Sequence, residues 1–185
     1  MNSNYFFCDL RGTYATHSDD EESRKILVET FVNNLAELQS IDNVDNFLVS
    51  IISNDDLDTV LPYIDELEHT VSQKGMNNGM NFSLEHIINN GNIEPFASTT
   101  KAGKMIHAIK DQTPGIVYFA DDTLMNQKFA QKYFQKLRPD VKIIGFIPRC
   151  KRLEKNMYTS TESGLSGVNQ AIESYIIERK ESMTL

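Results

Sequence analysis

What this chain lacks narrows its class before any motif is read. It has two cysteines, Cys8 and Cys150, too few for a disulfide framework, and each lies in or beside an apolar run where a small buried thiol is ordinary packing. A reducing compartment is the expectation. No stretch approaches the roughly 18 apolar residues of a membrane span, and the first residues carry neither a basic leader nor the apolar segment of a signal peptide. The sequence therefore predicts a cytoplasmic protein with no membrane partner. Cations are also in short supply. The 18 Lys and Arg against 26 Asp and Glu leave a formal charge of −8, which repels polyanions on average and argues against a generic nucleic-acid binder. The four histidines, His17, His69, His86 and His107, show no metal-ligand spacing with the cysteines, so a zinc site has no support. No internal repeat, low-complexity block or composition shift marks a second domain. A length of 185 residues, with 40% hydrophobic and 24% charged, suits one soluble domain with a substantial core.

What the chain has is a series of short apolar runs alternating with helical patterns. Tyr5-Phe6-Phe7-Cys8 is an aromatic-rich run that stops at Asp9 and is followed by Leu10-Arg11-Gly12-Thr13; it shows no 3.6-residue period and reads as a buried strand. Ser18-Asp19-Asp20-Glu21-Glu22 reads as a helix start, with a polar N-cap candidate and acids in the first turn, and the helix that follows has a stripe of Leu27, Phe31, Leu35 and Leu38, widened by Val28 and Val32. Phe47 to Ser53 is a second strand suited to burial on both faces. Val60, Leu61, Ile64 and Leu67 predict a second helix, with Pro62 tolerable only in its first turn. Phe82 to Ile88 is a weak third strand after a polar loop that contains Gly75 and Gly79. Thr99 or Thr100 caps a helix from Lys101 to Lys110. Gly115 to Ala120 is a fourth strand ending at Asp121 and Asp122, a helix covers Met125 to Leu137, and Val141 to Ile147 is a fifth strand. Leu165, Val168, Ile172 and Ile176 give a final amphipathic helix. Strands alternating with helices predict an α/β three-layer sandwich around a Rossmann-like, mainly parallel, five-stranded sheet.

In such a sheet, ligands bind outside the carboxyl ends of the strands, at the point where strand order reverses. If the first strand is central, flanked by the second and fourth, then Asp9, Ser53, Asp121 and Asp122 converge on one crevice, with Lys101 and Lys104 at the start of a nearby helix. Plain readings compete at each position. A serine ending a strand is commonly a turn residue, and Asp121-Asp122 before Thr123 suits a helix cap. A receiver domain also uses an acidic pocket and a lysine, but its acidic pair follows the first strand, which is not the order here.

Together these residues resemble the haloacid dehalogenase superfamily, whose members are mostly Mg²⁺-dependent phosphohydrolases with a Rossmann-like core. That family's pattern is an apolar strand ending Asp-x-Asp-Gly-Thr, a second strand ending in Ser or Thr, a helix-start lysine, and a fourth strand ending in one or two acids. This chain offers Phe6-Phe7-Cys8-Asp9-Leu10-Arg11-Gly12-Thr13, then Ile51-Ile52-Ser53, then Lys101 or Lys104, then Val117-Tyr118-Phe119-Ala120-Asp121-Asp122. The resemblance implies that Asp9 is a nucleophile forming an aspartyl-phosphate. It implies that Asp9, the main-chain carbonyl of Arg11, Asp121 and Asp122 hold Mg²⁺, and that Ser53 hydrogen-bonds a phosphoryl oxygen. Lys101 or Lys104 would neutralise Asp9 and the phosphate, Lys101 fitting the helical register slightly better because Met105 and Ala108 then face inward. Arg11, Gly12, Thr13 and Asn54 would contact substrate.

Position 11 departs from the pattern. Phosphatases of this family carry there a second Asp as general acid, a contribution worth about 10²–10⁴ in rate, and arginine cannot give or take a proton near neutrality. Arg11 could instead clamp a substrate anion, and His17, Asp19 and Asp20 are the candidates to replace the acid, against their plainer reading as a solvated loop. About 30 residues separate Thr13 from the second strand, and one helix accounts for most of them, so no large cap fits there. A minimal or capless member with an open site is the expectation, acting on a phosphorylated small molecule or macromolecule. Two functions are carried forward: a phosphohydrolase with altered or weak activity, and an impaired relative that binds phosphate or a phosphorylated partner in a regulatory role. The cluster Arg149, Lys151, Arg152 and Lys155 guides such a ligand or is plain surface charge.

Overall fold

The computed structural model describes residues 3–15, 20–53, 55, 57–74, 81–84, 100–151 and 154–184. Its elements run β1 (Ser3–Asp9), α1 (Glu21–Asp42), β2 (Asn46–Ile52), α2 (Leu57–Gln73), β3 (Asn81–Leu84), α3 (Lys101–Ala108), β4 (Ile116–Ala120), α4 (Leu124–Leu137), β5 (Lys142–Ile147), β6 (Met157–Thr159) and α5 (Gly164–Met183). The strands form one sheet in the order β3-β2-β1-β4-β5-β6, and every pairing is parallel. Strand order therefore reverses between β1 and β4.

Alternation along β1 builds the three layers. Phe6 and Cys8 point into a core shared with α1, α2 and α5, through Phe31, Leu35, Ile64, Leu67, Leu165 and Ile172. Tyr5 and Phe7 point to the other face, where Ala102 and Met105 of α3 and Ala130 and Phe134 of α4 cover them. The period of two in the strand thus decides which helices each residue meets. Phe6 is fully buried, edge-on to Phe31 and stacked on Tyr118 and Phe146; truncating it to Ala costs about 3–5 kcal/mol.

Local signals set the helix ends. The Asp20 carboxylate accepts from the Glu22 and Ser23 amides and caps α1, and Asn43 ends that helix in the left-handed conformation. Thr100 caps α3 by accepting from the Gly103 amide at 3.1 Å. Pro62 lies in the second turn of α2, not the first, where it removes one intrahelical hydrogen bond.

The sheet has six strands where the sequence predicts five. β6 is three residues long and pairs along Gly145–Ile147 of β5, reached without a helix among the described residues of the connection. The weak third strand is β3 at Asn81–Leu84; the rest of its predicted range, 85–88, lies outside the described residues. No helix among the described residues is long and apolar enough to cross a membrane.

Candidate functional site

The reversal between β1 and β4 brings Asp9 and Asp121 side by side. Asp9 shares the strand parity of Tyr5 and Phe7, and Asp121 that of Val117 and Phe119, so both carboxylates lean toward the α3–α4 layer. Asp9 is 5% exposed and Asp121 is fully buried. Lys101, in the first turn of α3, places its Nζ 2.7 Å from Asp9 Oδ1 and 2.7 Å from Asp121 Oδ2. One ammonium shared by two carboxylates compensates only part of their burial. Desolvation pushes the Asp9 carboxyl up to about 6 against the pull of Lys101. Burial works against the Lys101 ammonium as well, but the Asp121 and Asp9 charges outweigh it and hold its pKa above the usual value.

Asp121 is held by its neighbours on α4. Its Oδ1 accepts from the Thr123 amide at 2.8 Å, and Asn126 Nδ2 donates to both carboxylate oxygens, at 3.2 and 3.1 Å. Asp122 is exposed, and its amide donates to Thr13 Oγ1 at 3.1 Å, which ties the end of β4 to the loop after β1. Gly12 makes room for it. That residue has φ +72°, and a Cβ there would sit 2.4 Å from Asp122 Oδ2, so only glycine allows the carboxylate this approach.

Ligand atoms of Asp9, Asp121 and Asp122 all lie within 4.8 Å of one another, and this is the one such convergence of acidic, histidine or cysteine side chains among the described residues. Three carboxylate oxygens are a hard donor set, which suits Mg²⁺ or Ca²⁺ and not a thiophilic metal.

The two candidate lysines separate in space. Lys101 meets the carboxylates, whereas Lys104, fully buried, donates from Nζ to the Ser53 carbonyl at 3.1 Å and so ties α3 to the end of β2. Burial, helped by the nearby Lys101 charge, holds the Lys104 pKa below its usual value.

The mouth of the crevice carries an arrangement with no counterpart in the motifs. Arg11 forms a two-point pair with Asp55, Nη2 to Oδ1 at 2.5 Å and Nε to Oδ2 at 2.9 Å. Ser53 Oγ donates to the same Asp55 Oδ2 at 2.6 Å and accepts from the Asp55 amide at 3.1 Å. These hydrogen bonds, Arg11 first, hold the Asp55 carboxyl below its usual value. Arg11 and Ser53 therefore face Asp55, a residue that no motif singles out. Asn126 is likewise unmarked, because its geometry depends on where β4 ends in space.

Of the remaining predicted residues, Gly12 and Thr13 line the loop beside Asp122, whereas Asn54, His17 and Asp19 lie outside the described residues. Asp20 is occupied in capping α1. No protein-family model matches the chain, and no curated protein sequence matches it.

Proposed function

We propose that the protein is a divalent-cation-dependent phosphohydrolase of the haloacid dehalogenase type, with Asp9 as nucleophile. The observation that carries this reading is the meeting of Asp9, Asp121 and Asp122 with Lys101 at the strand-order reversal. Such a pocket repels an anion until cations compensate it, and then favours one. Asp9, Asp121, Asp122 and the main-chain carbonyl of Arg11 would hold the cation, Mg²⁺ in this reading, which supplies charge neutralisation for a phosphoryl group when bound.

An Asp9 carboxylate oxygen attacks phosphorus, the bond from phosphorus to the leaving oxygen breaks, and an aspartyl-phosphate remains. Water then attacks that phosphorus, the bond from phosphorus to the Asp9 oxygen breaks, the water's protons leave with the inorganic phosphate, and the Asp9 carboxylate is restored. Lys101 balances the Asp9 and Asp121 charges in the resting site and the phosphoryl oxygens during transfer.

Arg11 shapes the substrate class. It cannot protonate a leaving alcohol, and Asp55, paired to it, is held in its ionised form. A leaving group that departs as a stable anion needs no acid, so aryl phosphates are favoured over alkyl phosphates. The site, open in this reading, admits either a small phosphorylated molecule or a phosphorylated macromolecule.

The test is hydrolysis of p-nitrophenyl phosphate by the wild-type protein and Asp9→Asn, with Mg²⁺ and with EDTA. The reading expects Mg²⁺-dependent turnover in the wild type alone; wild-type activity at background would contradict it. The Arg11–Asp55 pair also favours a second reading, a site that binds phosphate or a phosphorylated partner without turnover. Phosphate or beryllofluoride binding at Asp9 without hydrolysis would select it.

A further inference from the structure

Behind the loop that carries Arg11, Gly12 and Thr13 lies a half-buried ion pair that the chemistry above leaves unused. Arg24 of α1 grips Glu66 of α2 with both arms of its guanidinium, Nε to Oε1 at 3.0 Å and Nη2 to Oε2 at 2.7 Å. The third nitrogen, Nη1, donates to the Tyr14 carbonyl at 2.6 Å. The guanidinium also lies over the Tyr14 ring, 4.7 Å from its centroid, with the Tyr63 ring at 5.8 Å. Tyr14 is fully buried, and its hydroxyl donates to Glu66 Oε2 at 3.2 Å. Arg24 and Glu66 thus hold Tyr14 at its backbone, its ring and its hydroxyl.

Tyr14 is where the loop returns to the strand. Its amide donates to the Asp9 carbonyl at 3.1 Å, and the next amide, Ala15, donates to the Leu10 carbonyl at 2.7 Å. The far side of the loop is pinned by Thr13 to the Asp122 amide. A shift of Tyr14 therefore moves the Asp9 carbonyl, and with it the loop residues that sit against Asp122.

We propose that Arg24, acting with Glu66 through Tyr14, is a positioning residue that fixes loop 10–13 in the geometry that brings Asp9 and Asp122 together. The functional consequence rests on the phosphohydrolase reading; the positioning itself does not. Arginine is required because only its fork can hold Glu66 with two nitrogens while a third reaches the carbonyl. A lysine keeps the charge and loses the fork.

The experiment compares wild type, Arg24→Lys and Tyr14→Phe by amide hydrogen exchange and by Mn²⁺ titration of the metal-free protein. In Arg24→Lys, protection of the Tyr14 and Ala15 amides falls by about tenfold or more, the scale of one hydrogen bond to a charged group, while Phe47 and Val49 of β2 keep their protection. Mn²⁺ affinity falls with it. Tyr14→Phe, which removes only the hydroxyl contact to Glu66, gives a smaller loss at the same two amides and serves as the test if Arg24→Lys does not fold. A role confined to packing α1 against α2 lowers protection along both helices without singling out the Tyr14 and Ala15 amides, and that result also overturns the proposal. Unchanged Tyr14 and Ala15 protection in a folded variant overturns the proposal. Absence of Mn²⁺ binding in the wild type counts against the phosphohydrolase reading alone, since the amides still judge the positioning role.

Discussion

Replacing Lys101 by Met removes the one cation among the described residues that touches both Asp9 and Asp121. The ammonium sits 2.7 Å from an oxygen of each; the Lys101 side chain is 15% exposed, and the Asp9 and Asp121 side chains, taken apart from their backbone, are 8% and 0% exposed. Breaking a buried pair by deleting one partner costs about 3–5 kcal/mol, because the remaining charge stays buried. Here Asn126 and the Thr123 amide still serve Asp121, and Asp9 can take up a proton, so the lower end applies. A loss of about 3 kcal/mol lowers Tm by roughly 6–12 °C for a chain of this size. The loss is recoverable: a divalent cation that binds only the folded state adds about 2.7 kcal/mol at a hundred times its Kd. Thermal denaturation at pH 7.5 in EDTA and then in Mg²⁺ is the assay. The expected result is a destabilised variant in EDTA whose Tm climbs toward the wild type as Mg²⁺ is added. A Lys101→Met protein as stable as wild type in EDTA would refute the electrostatic reasoning, and so would one that ignores Mg²⁺.

The raised Asp9 pKa gives a pH dependence with a definite sign. In the metal-free protein a carboxyl shifted from 3.8 to about 6 contributes stability that is fully present below about pH 4 and lost as pH rises through 6. Unfolding free energy of the wild type relative to Asp9→Asn therefore falls by about 3 kcal/mol across that window, measurable by urea denaturation; a flat difference refutes it. Gly12→Ala places a Cβ 2.4 Å from Asp122 Oδ2 at φ +72°, so it costs about 1–3 kcal/mol of strain and weakens Mg²⁺ binding by displacing Asp122. Calorimetric titration showing unchanged affinity would contradict this. Arg11→Asp restores a carboxyl at the acid position, and turnover of alkyl phosphates rises by as much as about 10²–10⁴-fold while aryl phosphates gain little. Equal gains on both would remove the leaving-group argument.

The layers were legible because burial on both faces of a parallel sheet writes itself into sequence as short apolar runs. Phe47 to Ile52 and Ile116 to Ala120 are such runs, and α1 declares itself through Leu27, Phe31, Leu35 and Leu38. β6 was not legible: Met157-Tyr158-Thr159 is too short for a period and pairs on one side only. The acids at the carboxyl ends of β1 and β4 could be read from the ends of those runs, since strand order alone determines their proximity. The sequence leaves Lys101 and Lys104 as alternatives, because both lie on the site-facing side of α3 and only the reach of each Nζ separates them. Asp55 and Arg24 carry no signal in the sequence because each acts through a partner more than forty residues away, or on a carbonyl. No local pattern encodes such meetings.

The central claim is that Asp9 meets a phosphoryl group in a pocket that a divalent cation makes tolerable. A crystal structure of the protein with Mg²⁺ and beryllofluoride tests it most directly. The account predicts a BeF₃ group bonded to an Asp9 carboxylate oxygen, with Mg²⁺ between it and Asp121. An unmodified Asp9, with the crevice closed by Lys101 and holding neither ion, would contradict it.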